Sequence, residues 1–263
     1  MLVAHANGFH GRVYAPLAAE LSDFRHLAFD FRGHGDSSTS DDLTYDWERF
    51  ADDVLAVVDA LEASLGAMPD DAGWLRGFGH SLGGAALLLA EERRPGTFAS
   101  LFVYEPIVFP HDRAPEQINR ALVRGAKRRR ESFESFDAAL ANFAFKAPLD
   151  VLAPEALRAY VEHGFAENGD GSVAIKCPGA IEARIYALAP HRATFDGLTG
   201  VSCPVSVGCG ADLGHGPSAF APAIVERLPR GSLVRFRGLG HFGPLEDPAR
   251  VATAARTALL AVA

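Results

Sequence analysis

Cysteine is scarce in this sequence, with three residues, Cys177, Cys203 and Cys209, in a chain of 263. The count is odd and no C-x-x-C occurs, so no disulfide framework is expected and a reducing cytoplasm is the expected compartment. Histidines clustered at metal-ligand spacing are also lacking, so structural zinc is not expected, and no metal or organic cofactor is implied. No apolar run approaches the length of a membrane span. Met1 to Ala4 is followed at once by His5, so neither a signal peptide nor a membrane association is expected. Positive charge is in deficit, with 25 Lys and Arg against 33 Asp and Glu and a net charge of −8. That balance argues against a nucleic-acid partner. The local exception, Lys127-Arg128-Arg129-Arg130, reads as a solvated helix face.

What the sequence does contain is apolar residue, at 48%, enough for a sizeable core. The length fits one large α/β domain or a core carrying an insertion. Leu2 to Ala4 is a short apolar run that ends in the loop His5-Ala6-Asn7-Gly8-Phe9. Val13, Tyr14, Leu17 and Leu21 fall at helical spacing, and His26 to Asp30 reads as a buried strand. From Trp47, the positions Phe50, Val54, Val57, Val58, Leu61 and Leu65 follow a 3.6 period, which predicts an amphipathic helix. Met68 to Gly73 is a polar connector. Strands are expected at Trp74–Phe78 and Ser100–Tyr104, with a helix over Leu82–Arg94 between them. Short apolar strands alternating with longer helices predict a parallel sheet covered on both faces.

From about Pro110 to Thr199 the pattern changes to helices alone, over Glu116–Arg130, Phe136–Phe145, Pro154–His163 and Pro178–Leu188. The phenylalanines of this stretch, among them Phe133, Phe143 and Phe165, read as its own core. Alternation resumes with a strand at Pro204–Val207, a helix at Pro217–Leu228, a strand at Ser232–Phe236 and a last helix from Asp247-Pro248 to about Val262.

The chain is organised around Gly79-His80-Ser81-Leu82-Gly83. This is the G-x-S-x-G pattern of a nucleophile elbow, in which a serine on a tight strand-to-helix turn points its Oγ out of the sheet. The same pattern also fits a plain helix N-terminus with Ser81 as its cap. The strand before it and the helix after it favour the elbow.

Four motifs now stand in one order: His5-Ala6-Asn7-Gly8-Phe9, Asp30-Phe31-Arg32-Gly33-His34-Gly35-Asp36-Ser37, the elbow, and Gly240-His241-Phe242. With them the chain resembles an α/β-hydrolase, with a mostly parallel sheet flanked by helices and an all-helical cap inserted after the family's sixth strand. The resemblance implies a core of residues 1–109 and 200–263 and a cap of residues 110–199. It makes Ser81 the nucleophile and His241 its base. It places the oxyanion hole on the backbone N–H groups of Leu82 and Asn7, with Gly8 or Phe9 in place of Asn7 if the loop register differs. His5, His34 and His80 read as structural, orienting turns by hydrogen bonds.

The triad acid has two candidates. The family's usual Gly-x-x-Asp, counted from Gly210, lands on Leu213, with Asp212 one residue early. Glu105, in Tyr104-Glu105-Pro106, is similar in position to the acid of those haloalkane dehalogenases that carry it after the sixth strand, and it is slightly preferred. Dehalogenation itself is disfavoured, because those enzymes need an aspartate where this chain has Ser81. The family's opening β-hairpin is not seen before Leu2, so either the first two strands are missing from this version or its start lies upstream. If they are missing, an exposed sheet edge invites dimerisation.

The function these residues imply is hydrolysis of a small to medium carboxylic ester or lactone through an acyl-enzyme, the partner being that small-molecule substrate. Two alternatives stand beside it: a ligand-binding receptor or signalling protein on the same fold, and a cofactor-free C–C hydrolase or perhydrolase.

Overall fold

Strands that are apolar on both faces need helices on both sides of their sheet, and the chain supplies them in alternation. The computed structural model describes residues 1–37, 44–65, 75–110, 116–188, 193–210 and 216–261. The first half runs β1 (Leu2–Ala4), a 3-10 turn over Gly11–Tyr14, α1 (Ala15–Ala19), β2 (Leu27–Ala28), α2 (Trp47–Leu65), β3 (Leu75–His80), α3 (Leu82–Arg93) and β4 (Phe98–Tyr104). Between β4 and the next core strand lie α4 (Glu116–Lys127), β5 (Ser132–Phe133), α5 (Phe136–Ala144), α6 (Pro154–Gly164), β6 (Phe165–Glu167), β7 (Val173–Ile175), α7 (Gly179–Ala187) and α8 (Ala193–Gly197). The chain closes with β8 (Val205–Gly210), α9 (Ala221–Arg227), β9 (Gly231–Phe236), α10 (Gly243–Glu246) and α11 (Pro248–Leu260). Of the expected elements, Trp74, the Met68–Gly73 connector and Val262 fall outside the described residues.

The main sheet has the order β2-β1-β3-β4-β8-β9, and every pairing in it is parallel. Its two faces carry separate apolar layers. Leu101 and Val103 of β4 pack with Phe50, Val54 and Val58 of α2 and with α3. Phe102 and Tyr104, pointing the other way, pack with Leu17 of α1 and with Val251, Ala255 and Leu259 of α11. The alternation along β4 therefore assigns successive residues to opposite layers, as the pleat requires. On one side of the sheet, the rings of Phe78 and Phe102 stack at 5.7 Å between centroids. The edge strand β2 pairs with β1, and both of its residues are exposed.

The expectation of an all-helical segment between β4 and β8 is corrected. β5, β7 and β6 form a small antiparallel sheet there. Its strands have two or three residues each, too few to show an alternating pattern against their helical surroundings. One signal was legible. Asn168-Gly169-Asp170-Gly171 joins β6 to β7, with Gly171 at φ 84° and the Asp170 carboxylate accepting from Ser172 N–H at 3.0 Å. That is hairpin-turn chemistry. Phe133, Phe143 and Phe165 are buried together with Tyr160 in this segment, whereas Phe145 is exposed. No described helix is long and apolar enough to cross a membrane.

Candidate active site

The elbow is forced by crowding at the carboxyl end of β3. A Cβ on Gly79 would lie 2.7 Å from Gly84 Cα, and one on Gly83 would run into the carbonyl of Ala4 in β1. Only glycine permits that approach of strand, turn and helix. The turn between them holds Ser81 at φ 56° and ψ −114°, a strained conformation for a residue with a side chain. Neighbouring strands secure it, with Ser81 N–H donating to Tyr104 O at 3.0 Å. The Ser81 side chain makes no capping bond to α3, so the plain helix-cap reading does not describe it. Its Oγ instead lies 3.1 Å from His241 Nε2.

His241 sits in the loop after β9, which two further groups fix. The Glu246 carboxylate accepts from Gly240 N–H at 3.0 and 3.1 Å, and Tyr104 Oη donates to Gly240 O at 2.8 Å. On the far side of the ring, His241 Nδ1 lies 2.8 Å from Glu105 Oε2. Glu105 is 1% exposed, and its other oxygen accepts from Gly210 N–H at 2.9 Å. A buried carboxylate with both oxygens bonded is held in one orientation. Its backbone is also held at positive φ, 41°. The structure thus brings Ser81, His241 and Glu105 into one chain of contacts, whereas Asp212 lies outside the described residues.

The loop after β1 faces the same turn. Gly8 N–H donates to His34 Nε2 at 3.1 Å and Phe9 N–H to Ala6 O at 3.2 Å, so both of these donors are taken. Among the described residues no acceptor sits on the N–H of Asn7 or of Leu82. Asn7 and Leu82 both line the cavity that Ser81 and His241 also line.

The buried histidines hold this arrangement rather than take part in it. His5 accepts from Phe31 N–H at 2.9 Å through Nε2 and donates to Ala6 O at 2.8 Å through Nδ1. His80 forms the middle of a relay. Ala6 N–H donates to Tyr14 Oη at 3.2 Å, Tyr14 Oη–H donates to His80 Nδ1 at 2.7 Å, and His80 Nε2–H donates to His241 O at 2.7 Å. That single chain joins the loop after β1, the elbow and the loop carrying His241. It requires a neutral His80, and burial first, then the nearby His241, push its pKa well below the ordinary value. Burial likewise lowers His5, and takes His34 and His10 down to about 4.

A cavity of about 670 Å³ opens on Ser81, within the range of small-molecule sites. Trp47 of α2, Ile107 and Phe109 just after β4, and Phe220 before α9 form part of its wall, and Phe143, Leu149 and Tyr186 from farther along between β4 and β8 form another part. Lys127, Arg128 and Arg130 are exposed, as a solvated face requires, but α4 ends at Lys127 and the run also reaches the cavity wall. Arg128, Arg129 and Arg130 all line the cavity. Arg129 is largely buried, paired at 2.5 Å with Glu182 and bonded to Tyr160 Oη. Charge alone could not distinguish these arginines, because the wall they complete is made by residues distant in sequence. Tyr14, Glu246 and Arg129 are the supporting residues that sequence reasoning missed. All three cysteines are buried free thiols, and burial with Glu182 nearby raises that of Cys177 to about 12.

A model of the family described as "Alpha/beta hydrolase family" matches residues 1–255. The human protein named monoglyceride lipase is 33% identical over 129 residues, 48% of this chain and 40% of the human protein, and the mouse protein of that name matches to the same extent. The matched segment thus spans less than half the length of these curated relatives. Among solved structures, E-2-(acetamidomethylene)succinate hydrolase superposes with a TM-score of 0.81 at 23% identity, over 99% of this chain and 91% of that one. A peroxisomal alpha-beta-hydrolase from Saccharomyces cerevisiae gives 0.78 at 18% identity, over 97% and 74%. At those identities the likeness is one of fold.

Proposed function

The chain belongs to the alpha/beta hydrolase family, and on that premise we propose that it is a serine hydrolase, cleaving a small to medium carboxylic ester or lactone through an acyl-enzyme on Ser81. The observation that carries this reading is the pair of contacts on one imidazole, 3.1 Å to Ser81 Oγ and 2.8 Å to Glu105 Oε2. In this reading Glu105, not Asp212, is the triad acid.

Glu105 holds the proton of His241 on Nδ1, which leaves Nε2 with a lone pair facing Ser81. As Oγ attacks the substrate carbonyl, its proton passes to Nε2, and Glu105 stabilises the imidazolium that forms. The carbonyl oxygen becomes an oxyanion and accepts from the N–H groups of Asn7 and Leu82. The N-terminus of α3 adds its positive dipole at that point. Collapse breaks the ester C–O bond, with the Nε2 proton going to the leaving alcohol. Water then enters, loses a proton to His241 and releases the acid from Ser81.

Residues 110–199 act in this reading as a cap over the core of residues 1–109 and 200–263. The apolar wall they share with the core suits an acyl or alkyl group. Ester cleavage also accords with the name of the human and mouse relatives, monoglyceride lipase, whose likeness covers the segment given above.

Turnover of p-nitrophenyl acetate tests the proposal. Ser81→Ala and His241→Ala should each lose at least about a thousandfold in kcat, because nucleophile and base act as a unit. Hydrolysis at the wild-type rate in either variant would overturn it. Tight ligand binding by the wild type without any release of p-nitrophenol would instead favour a receptor on this fold.

A further inference from the structure

The cavity over Ser81 opposes the charge of the chain around it. The protein carries a net −8, yet the described residues lining the cavity include Arg128, Arg129, Arg130 and Lys146 against a single carboxylate, Glu182. Glu182 is taken up by Arg129. Arg130 is engaged as well, at 2.9 Å from Glu134, 2.8 Å from Ser132 O and over the Phe133 ring. That leaves Arg128 and Lys146, both exposed, with no side-chain partner among the described residues. Asn142 of α5 also lines the cavity. Its amide nitrogen is shut off from water without a hydrogen-bond partner, a situation that costs free energy until the side chain turns toward an acceptor in the cavity.

All three groups are donors lacking acceptors. They stand on the part of the wall that residues 110–199 supply, while Ser81 and His241 come from the core. We propose that the cavity selects an ester whose acyl or alcohol part carries a carboxylate, which Arg128, Lys146 and Asn142 receive while the ester carbonyl lies at Ser81. This substrate class rests on the hydrolase reading above. Guanidinium, ammonium and amide N–H supply charge-assisted and neutral bonds to carboxylate oxygens, and the apolar remainder of the wall takes the connecting chain.

The test compares mono-p-nitrophenyl adipate with p-nitrophenyl hexanoate, esters of equal chain length that differ in a terminal carboxylate. Wild type should favour the adipate in kcat/KM by about tenfold or more, and added salt should erode that preference. Arg128→Gln combined with Lys146→Gln should lower the adipate-to-hexanoate ratio about tenfold. Arg158→Gln, which removes an exposed cation paired with Glu162 outside the cavity wall, should leave the ratio alone. Binding separates the two readings: Ser81→Ala should bind monobutyl adipate more tightly than butyl hexanoate by calorimetry. Equal affinities, or a ratio untouched by the double variant, would overturn the anionic selectivity. Tighter adipate binding with neither ester turned over by wild type would sustain the site and overturn the hydrolase reading.

Discussion

Glu105→Gln should disable the protein without unfolding it, and the reason lies in which way the new amide must face. In the wild type, Oε1 of Glu105 accepts from Gly210 N–H at 2.9 Å and Oε2 faces His241 Nδ1 at 2.8 Å. A glutamine has one acceptor and one donor end. The backbone N–H of Gly210 can only donate, so it claims the amide oxygen and turns the NH₂ toward Nδ1. That nitrogen must then accept, which moves the imidazole proton to Nε2, the atom facing Ser81. The base is blocked while every buried polar group keeps a partner. Exchanging carboxylate for amide behind a triad histidine costs about 10⁴ in kcat, equivalent to about 5 kcal/mol of transition-state stabilisation. The assay is steady-state hydrolysis of p-nitrophenyl acetate, with thermal unfolding measured alongside. A kcat about four decades down with Tm within a few degrees of wild type is expected. A Gln variant within tenfold of wild type would refute the tautomer argument, as would the same loss in Asp212→Asn with Glu105→Gln left active.

Gly83→Ala should lower both Tm and kcat, because the added methyl meets the Ala4 and His5 carbonyls, backbone that has nowhere to go. Overpacking of this kind costs about 1–3 kcal/mol, and an unchanged Tm would show that the elbow tolerates the methyl. Tyr14→Phe strips the relay of its hydroxyl and leaves Ala6 N–H and His80 Nδ1 buried without partners. At about 1–3 kcal/mol for each orphaned group, stability should fall measurably in urea and kcat should fall with it, since the loop bearing Asn7 loosens; wild-type values for both would remove the relay from the account. Acid should destabilise the fold early. His10 and His34 titrate at about 4 when folded against an ordinary value of 6.5, burial being the main cause, and His5 and His80 are lowered too. The unfolded chain therefore takes up protons first. The stability is complete above about pH 6.5 and is lost as pH falls toward 4, with a slope near 3 kcal/mol per pH unit from His10 and His34 together. Urea midpoints that stay level from pH 7 to 5 would contradict this.

Much of the core was legible because its signals are long or local. The 3.6 period of α2 and the alternation of strands with helices each extend over many residues. The Gly79 to Gly83 pattern carries its own steric reason. Glu105 was a candidate in the sequence because it directly follows the strand now seen as β4, and its carboxylate lies 2.8 Å from His241 Nδ1, whereas Asp212 lies outside the described residues. What escaped was short or distant. β5, β6 and β7 have too few residues to express a period, although the Asn168 to Gly171 turn announced two of them. The burial of Arg129 depends on Glu182, 53 residues away, and on Tyr160, 31 away. Tyr14 fell at plain helical spacing, and nothing in that spacing marks the hydroxyl that holds His80.

In the proposed reaction Ser81 carries the acyl group between the two half-reactions. Rapid-quench mass spectrometry of the wild type with p-nitrophenyl acetate, followed by peptide mapping, reads this directly. An acetyl group is expected on the peptide containing Ser81, formed as fast as the burst of p-nitrophenol and absent from Ser81→Ala. Turnover with Ser81 never acetylated, or acetylation of another residue at that rate, would contradict it.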